Sequence, residues 1–237
     1  MNLADWSYWM PLVQDAAPLL PQPSLLPLLR QAGWALVMAA LVTALMQCFD
    51  ARWVRDKGRL LSLAFALWAC IPGPWGLSYW LGLAFQTPSL MAIGLASSYL
   101  WGSVVQRRWP QSAKYPDPAS YRKRSLAWQD RYALVGIAMG WLLLFDVFAY
   151  LPWSVYAWGF HPLANGPVLL VALWPWIASG RTAMLMQAPS KVLLPVLALF
   201  WVSRWPTGNL WDAVLDPWLF VGLHGYMLVR LRKRQGT

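Results

Sequence analysis

The sequence predicts an all-α membrane protein, a polytopic bundle of about seven transmembrane helices with its N-terminus outside and its C-terminus in the cytoplasm. Of the 237 residues, 59% are hydrophobic and only 12% are charged. An average soluble domain is about a quarter charged, so this chain has too few polar side chains to cover the surface of a water-soluble protein. The composition excludes an ordinary soluble enzyme, a disordered chain and a disulfide-rich secreted module.

Apolar stretches that approach the roughly 20 residues needed to cross a bilayer recur along the chain. They cover 33–49, 60–77, 88–105, 132–151, 163–179, 192–205 and 211–229. The fifth and sixth are short and contain Pro175 and Pro195, so they are alternatively a re-entrant pair, which lowers the count to five. The predicted organisation is an outer-face interfacial segment at 1–30, the bundle at 31–229 and a basic cytoplasmic tail at 230–237.

The orientation follows from the basic residues. Of the 19 Lys and Arg residues, 17 lie in one alternating set of connections and the C-terminal tail, while the other set contains Arg30 and Arg204. Lys and Arg accumulate on the cytoplasmic side of membrane proteins, so this asymmetry places the C-terminus in the cytoplasm. The net charge of +10 is thereby attributed to membrane topology, and no nucleic-acid partner is expected.

The inner loop 106–131 is the longest of the basic connections. We interpret its charges as a topology signal, with binding of anionic lipid or of a cytoplasmic partner as the alternative. Its main basic candidates are Arg107, Arg108, Arg122, Lys123 and Arg124.

Two residues at the predicted outer face are candidates for chemistry. Asp146 falls inside the fourth predicted span, and an ionisable residue within a membrane is a functional candidate by default. His161 follows in the next outer loop and, if it meets Asp146, forms a proton-handling pair. The alternatives are a hydrogen-bonded structural carboxylate and a loop histidine at the headgroup level.

Cofactor and metal sites are not expected. His224 lies in the last predicted span and is a weak candidate haem ligand, since a second facing histidine is lacking there. A hydrogen bond to a neighbouring helix is the favoured role of His224. The cysteines, Cys48 and Cys70, are not spaced as a metal motif, and a disulfide between them is not expected.

Small residues indicate where helices pack closely. Gly136 and Gly140 form a GxxxG pattern in the fourth span, and Gly222 and Gly225 flank His224 in the seventh. Such residues allow close helix contact in lipid, either within the bundle or against another subunit.

These observations predict a non-catalytic integral subunit or assembly partner of a larger complex in the bacterial inner (plasma) membrane. Its expected partners are the lipid bilayer and other membrane subunits. One alternative is a transporter or permease for a small or lipid-linked solute, using Asp146 and an outer-face cluster drawn from the 19 tryptophans. A second alternative is an outer-face membrane enzyme that uses Asp146 and His161.

Overall fold

The protein is all-α, as the sequence predicts. The computed structural model describes residues 20–49, 52–108, 118–179 and 189–235, except for the side chains of residues 52–56, 104–125, 179 and 234. Ten α-helices lie in these ranges. They are α1 (Leu26–Gln47), α2 (Arg52–Cys70), α3 (Leu77–Phe85), α4 (Leu90–Arg108), α5 (Pro118–Val147), α6 (Val155–Trp158), α7 (Asn165–Ser179), α8 (Ser190–Ser203), α9 (Leu210–Val214) and α10 (Pro217–Gln235).

Two single turns of 3-10 helix complete the described helical structure. Pro23–Leu25 leads directly into α1, and Pro162–Ala164 leads into α7. Both begin with proline, whose fixed φ and missing N–H suit the first position of a helix.

The seventh apolar stretch, 211–229, is not one helix. Its first residues form the short α9, the backbone is extended at Leu215, and α10 starts afresh at Pro217. The break follows from Pro217, which disfavours helical backbone in the preceding residue. Asp216 then caps the new helix, because its Oδ1 accepts the Leu219 N–H at 2.7 Å.

The second apolar stretch, 60–77, is also divided. Helix α2 ends at Cys70, and a turn that contains Gly73 separates it from α3. Gly73 has a φ of +75°, a backbone conformation that glycine adopts without steric penalty.

One described helical run is both long and apolar enough to cross a membrane. It is Pro23–Gln47, near the N-terminus, with a mean hydropathy of 1.6. Two shorter apolar runs are Pro162–Ala178 and Ser190–Ser203. A single long run also occurs as a core helix or a signal sequence, so the number of spans stays a prediction.

The helices pack as a row and a pair. In the row, α2 packs on α1, α1 on α4, α4 on α8 and α8 on α7, while α5 and α10 pack on each other. The main buried cluster lies where α4, α7, α8 and α9 meet, and it includes Leu90, Val168, Leu193, Phe200 and Trp211.

Pro175 inside α7 explains one contact between the row and the pair. Proline has no N–H, so the carbonyl of Val171, four residues earlier, loses its helical donor. The Tyr132 hydroxyl of α5 donates to that carbonyl at 2.7 Å and lies 2.6 Å from the Ser190 hydroxyl at the start of α8. The carbonyl that Pro175 leaves without a helical donor thereby becomes part of a hydrogen-bond contact that links α5, α7 and α8.

Candidate functional site

Polar side chains gather near two points of α5 that lie 16 residues apart, which is about 24 Å along a helix. We call the cluster of Asp146, Asp212 and Asp216 the carboxylate end. We call the cluster of Asp130, Tyr226 and Arg230 the arginine end.

Asp146 holds the loop that follows α5. Its Oδ2 accepts the backbone N–H of Tyr156 at 2.6 Å and the hydroxyl of Ser154 at 3.1 Å. The Ser154 hydroxyl oxygen in turn accepts the Ala157 N–H, as the N-cap of α6. The carboxylate therefore binds donors at the start of a short helix, a role that orders backbone and requires no reaction.

Tyr156 connects Asp146 to the segment that contains α9. Its hydroxyl donates to Asp212 Oδ2 at 2.8 Å, and Thr207 donates to the same oxygen at 2.5 Å. The Asn209 side-chain amide donates to the Tyr156 carbonyl at 2.9 Å. Burial raises the pKa of the Tyr156 phenol well above its ordinary value of 10.0, and the hydrogen bond to Asp212 raises it further. The phenol therefore stays protonated at neutral pH and serves as a donor.

Asp216 joins α10 to the start of α4. Its Oδ2 accepts the Ser89 N–H at 2.8 Å, and its other oxygen caps α10. Arg204 lies over the Phe200 ring, 5.4 Å from the ring centroid. The three carboxylates of this end therefore accept hydrogen bonds from neutral donors.

The arginine end is built differently. Arg230 binds Asp130 through two hydrogen bonds of 3.0 Å, from Nε to Oδ1 and from Nη2 to Oδ2. The Tyr226 hydroxyl donates to Asp130 Oδ1 at 2.8 Å. The hydrogen bond to Asp130 raises the pKa of the Arg230 guanidinium, which keeps its charge. This forked pair clamps α10 to α5.

The structure gives each candidate histidine a structural contact. His161 is the N-cap of the 3-10 turn Pro162–Ala164, and its Nδ1 accepts the Leu163 N–H at 3.2 Å. His224 Nδ1 lies 2.9 Å from the Phe220 carbonyl, which only accepts, so Nδ1 carries the proton. Its Nε2 then accepts the Trp141 indole N–H at 3.3 Å. Both ring nitrogens of His224 are therefore engaged between α5 and α10.

The two glycine pairs have different surroundings. A Cβ at Gly136 would lie 2.6 Å from Leu223 Cδ1, and one at Gly140 would lie 2.5 Å from Phe220 Cε2, so α10 packs directly on this glycine face of α5. A Cβ at Gly222 or Gly225 would meet no atom within 4 Å in the described part of the chain. Both of these glycines are exposed on the opposite face of α10.

A partly open apolar cleft of about 390 Å³ separates the α5–α10 pair from α4, α7, α8 and α9. Apolar side chains form most of its wall. The polar side chains among those lining it include Gln129, Tyr132 and Tyr226.

Tryptophans occur both inside the bundle and on its surface. Trp158 and Trp211 pair at 6.4 Å, and Trp128 and Trp174 pair at 6.3 Å. Several tryptophans near the predicted outer ends of the spans are exposed, namely Trp75, Trp80, Trp153 and Trp218.

Some predicted features lie outside the described part of the chain. These include most of the interfacial segment 1–30 and the middle of the inner loop 106–131. The side chains of the basic candidates there are also outside it, namely Arg107, Arg108, Arg122, Lys123 and Arg124. Within the described residues, no group of three or more His, Cys, Asp or Glu side chains is arranged to hold a metal ion.

Sequence reasoning missed the clamp at the arginine end and the cleft. Asp130 lies in the inner loop 106–131, two residues before the fourth predicted span. Its partner Arg230 is 100 positions away, and nothing local in the sequence pairs them. A signal was present, since an acid amid basic residues at a span end is a natural arginine partner.

No protein-family model, no curated protein and no solved structure matches this chain.

Proposed function

We propose that the protein is a non-catalytic integral subunit or assembly partner of a complex in the bacterial inner membrane. The proposed topology has seven spans, an outer N-terminus and a cytoplasmic C-terminus. The observation that carries the proposal is the exposure of large apolar side chains along both the long and the shorter helices. Examples are Leu41 and Leu45 on α1, Leu63 and Leu67 on α2, Leu134 on α5, Leu170 on α7, Val202 on α8 and Leu228 on α10.

An apolar surface of this extent is unfavourable in water and favourable in lipid. Soluble monomers rarely expose contiguous apolar patches larger than a few hundred Å². The long helices α2, α4, α5 and α10 carry their basic residues toward the end that the charge asymmetry assigns to the cytoplasm. This arrangement lets Lys and Arg reach the headgroup level while the rest of each helix lies in the hydrocarbon.

The outer face of α10 supports the partner role. Gly222 and Gly225 are open, and Val221, Leu228 and Val229 beside them are more than half exposed. A helix face that combines glycines with branched apolar side chains allows a second transmembrane helix to approach closely. We propose that a helix of another membrane subunit packs on this face.

The transporter and enzyme alternatives are less well supported. Each assigns chemistry to Asp146, whose Oδ2 accepts hydrogen bonds from the backbone of Tyr156 and from Ser154. His161 is engaged as a cap of its own loop. These contacts account for both residues without a substrate.

The first experiment is a native pull-down of the full chain. The chain carries a C-terminal tag, is extracted from its own membranes in mild detergent, and its co-purifying proteins are identified by mass spectrometry. We expect the protein to remain in the membrane fraction after alkaline washing and to co-purify with at least one membrane protein in a fixed ratio. Recovery of the protein in the soluble fraction, or of a lone protein, contradicts the proposal.

A matched pair of variants locates the contact. Gly222→Leu is expected to lower recovery of the partner about tenfold, because a side chain there separates the two helices. Gly102→Leu places the same side chain at another open glycine, on α4, and is expected to retain the partner. Equal recovery from both variants contradicts the assignment of the face.

Reporter fusions test the topology. A phosphatase fused after residue 161 is expected to be active, because that loop is assigned to the outside, and a C-terminal fusion is expected to be inactive. The reverse pattern contradicts the orientation.

A further inference from the structure

We draw no further inference here: the strongest candidate, the cavity at the carboxylate end that Asp212 and Asp216 line between α3 and the start of α10, rests on an acidic cluster whose carboxylates accept hydrogen bonds from donors of the fold, and no second observation in the described part of the chain shows what it would bind.

Discussion

The two faces of α10 use the same kinds of residue for different purposes. One face places Phe220, Leu223 and His224 against α5, where the Gly140 and Gly136 positions leave room for them. The other face presents Gly222 and Gly225 to open space, beside exposed branched and aromatic side chains.

The difference teaches how to interpret glycines in an apolar helix. By spacing alone, Gly136/Gly140 and Gly222/Gly225 are both predicted to be positions of close helix packing. The tertiary structure shows that the first pair packs against another helix of the same chain. A glycine with a neighbour under 3 Å from its missing Cβ stabilises the fold through its small size. A glycine with no such neighbour weakens its own helix without that gain. For Gly222 and Gly225, the proposed partner helix supplies the missing contact.

Gly140→Ala is expected to have the largest effect on stability. The added Cβ overlaps the Phe220 ring. That ring lies between the rings of Trp141 and His224, with centroid distances of 5.8 Å and 4.6 Å, and has little room to move. Overpacking of this kind destabilises by about 1–3 kcal/mol. Thermal unfolding in detergent measures it, and an unchanged Tm shows that α10 does not pack on α5 as described.

Asp130→Asn is expected to have the next largest effect. The amide accepts fewer hydrogen bonds than the carboxylate and leaves Arg230 without its charged partner. The Arg230 side chain is 23% exposed, so water partly compensates, and we expect a smaller fall in Tm than for Gly140→Ala. Asp212→Asn, which alters an acid with neutral donors, is the control for loss of a carboxylate charge.

If Asp130→Asn and Asp212→Asn lower the Tm equally, the ion pair contributes nothing beyond ordinary hydrogen bonding. A larger fall in Tm for Asp130→Asn indicates that the Asp130–Arg230 ion pair, and not packing alone, holds α10 against α5.

Gly136→Ala is expected to have a small effect. Its Cβ meets the end of the flexible Leu223 side chain, which can rotate away more easily than a ring. The gain in helix propensity of up to about 1 kcal/mol offsets part of the clash. Comparison with Gly140→Ala by thermal unfolding under identical conditions tests the order, and a larger loss for Gly136→Ala contradicts it.

Gly222→Ala is expected to change stability least and in the opposite direction. Nothing in the described chain lies within 4 Å of the new Cβ, and alanine favours the helix by up to about 1 kcal/mol. The isolated protein should therefore unfold at the same or a slightly higher temperature. A clear loss of Tm shows that this face is covered within the chain, which contradicts the proposed partner contact.

Much of the helical structure could be predicted from the sequence. The apolar stretches at 33–49, 88–105, 163–179 and 192–205 each coincide with a helix, because long apolar runs are strong local signals. Boundaries were less predictable. The apolar stretch 211–229 gave no indication of the helix break before Pro217, because average hydrophobicity is insensitive to a single proline and a single capping aspartate.

For the candidate residues, the sequence identified the residue but not its hydrogen-bond partner. The sequence singles out Asp146 as a candidate for chemistry and His224 as a residue that hydrogen-bonds a neighbouring helix. In the structure both make hydrogen bonds that join elements of the fold. Their partners, Tyr156 and Trp141, are not marked by any motif. The donor that reaches each residue is determined by how the helices and loops pack against one another, and local sequence does not specify that packing.

The sequence by itself determined the all-α class, the locations of most helices and the asymmetry of the basic residues, because these depend on local composition and period. The tertiary structure decided which glycine pair is covered, which acid Arg230 binds and where six helices leave a cleft. These features depend on the relative placement of segments up to 100 residues apart. Such placement is set by the packing of whole helix faces, which local sequence does not specify.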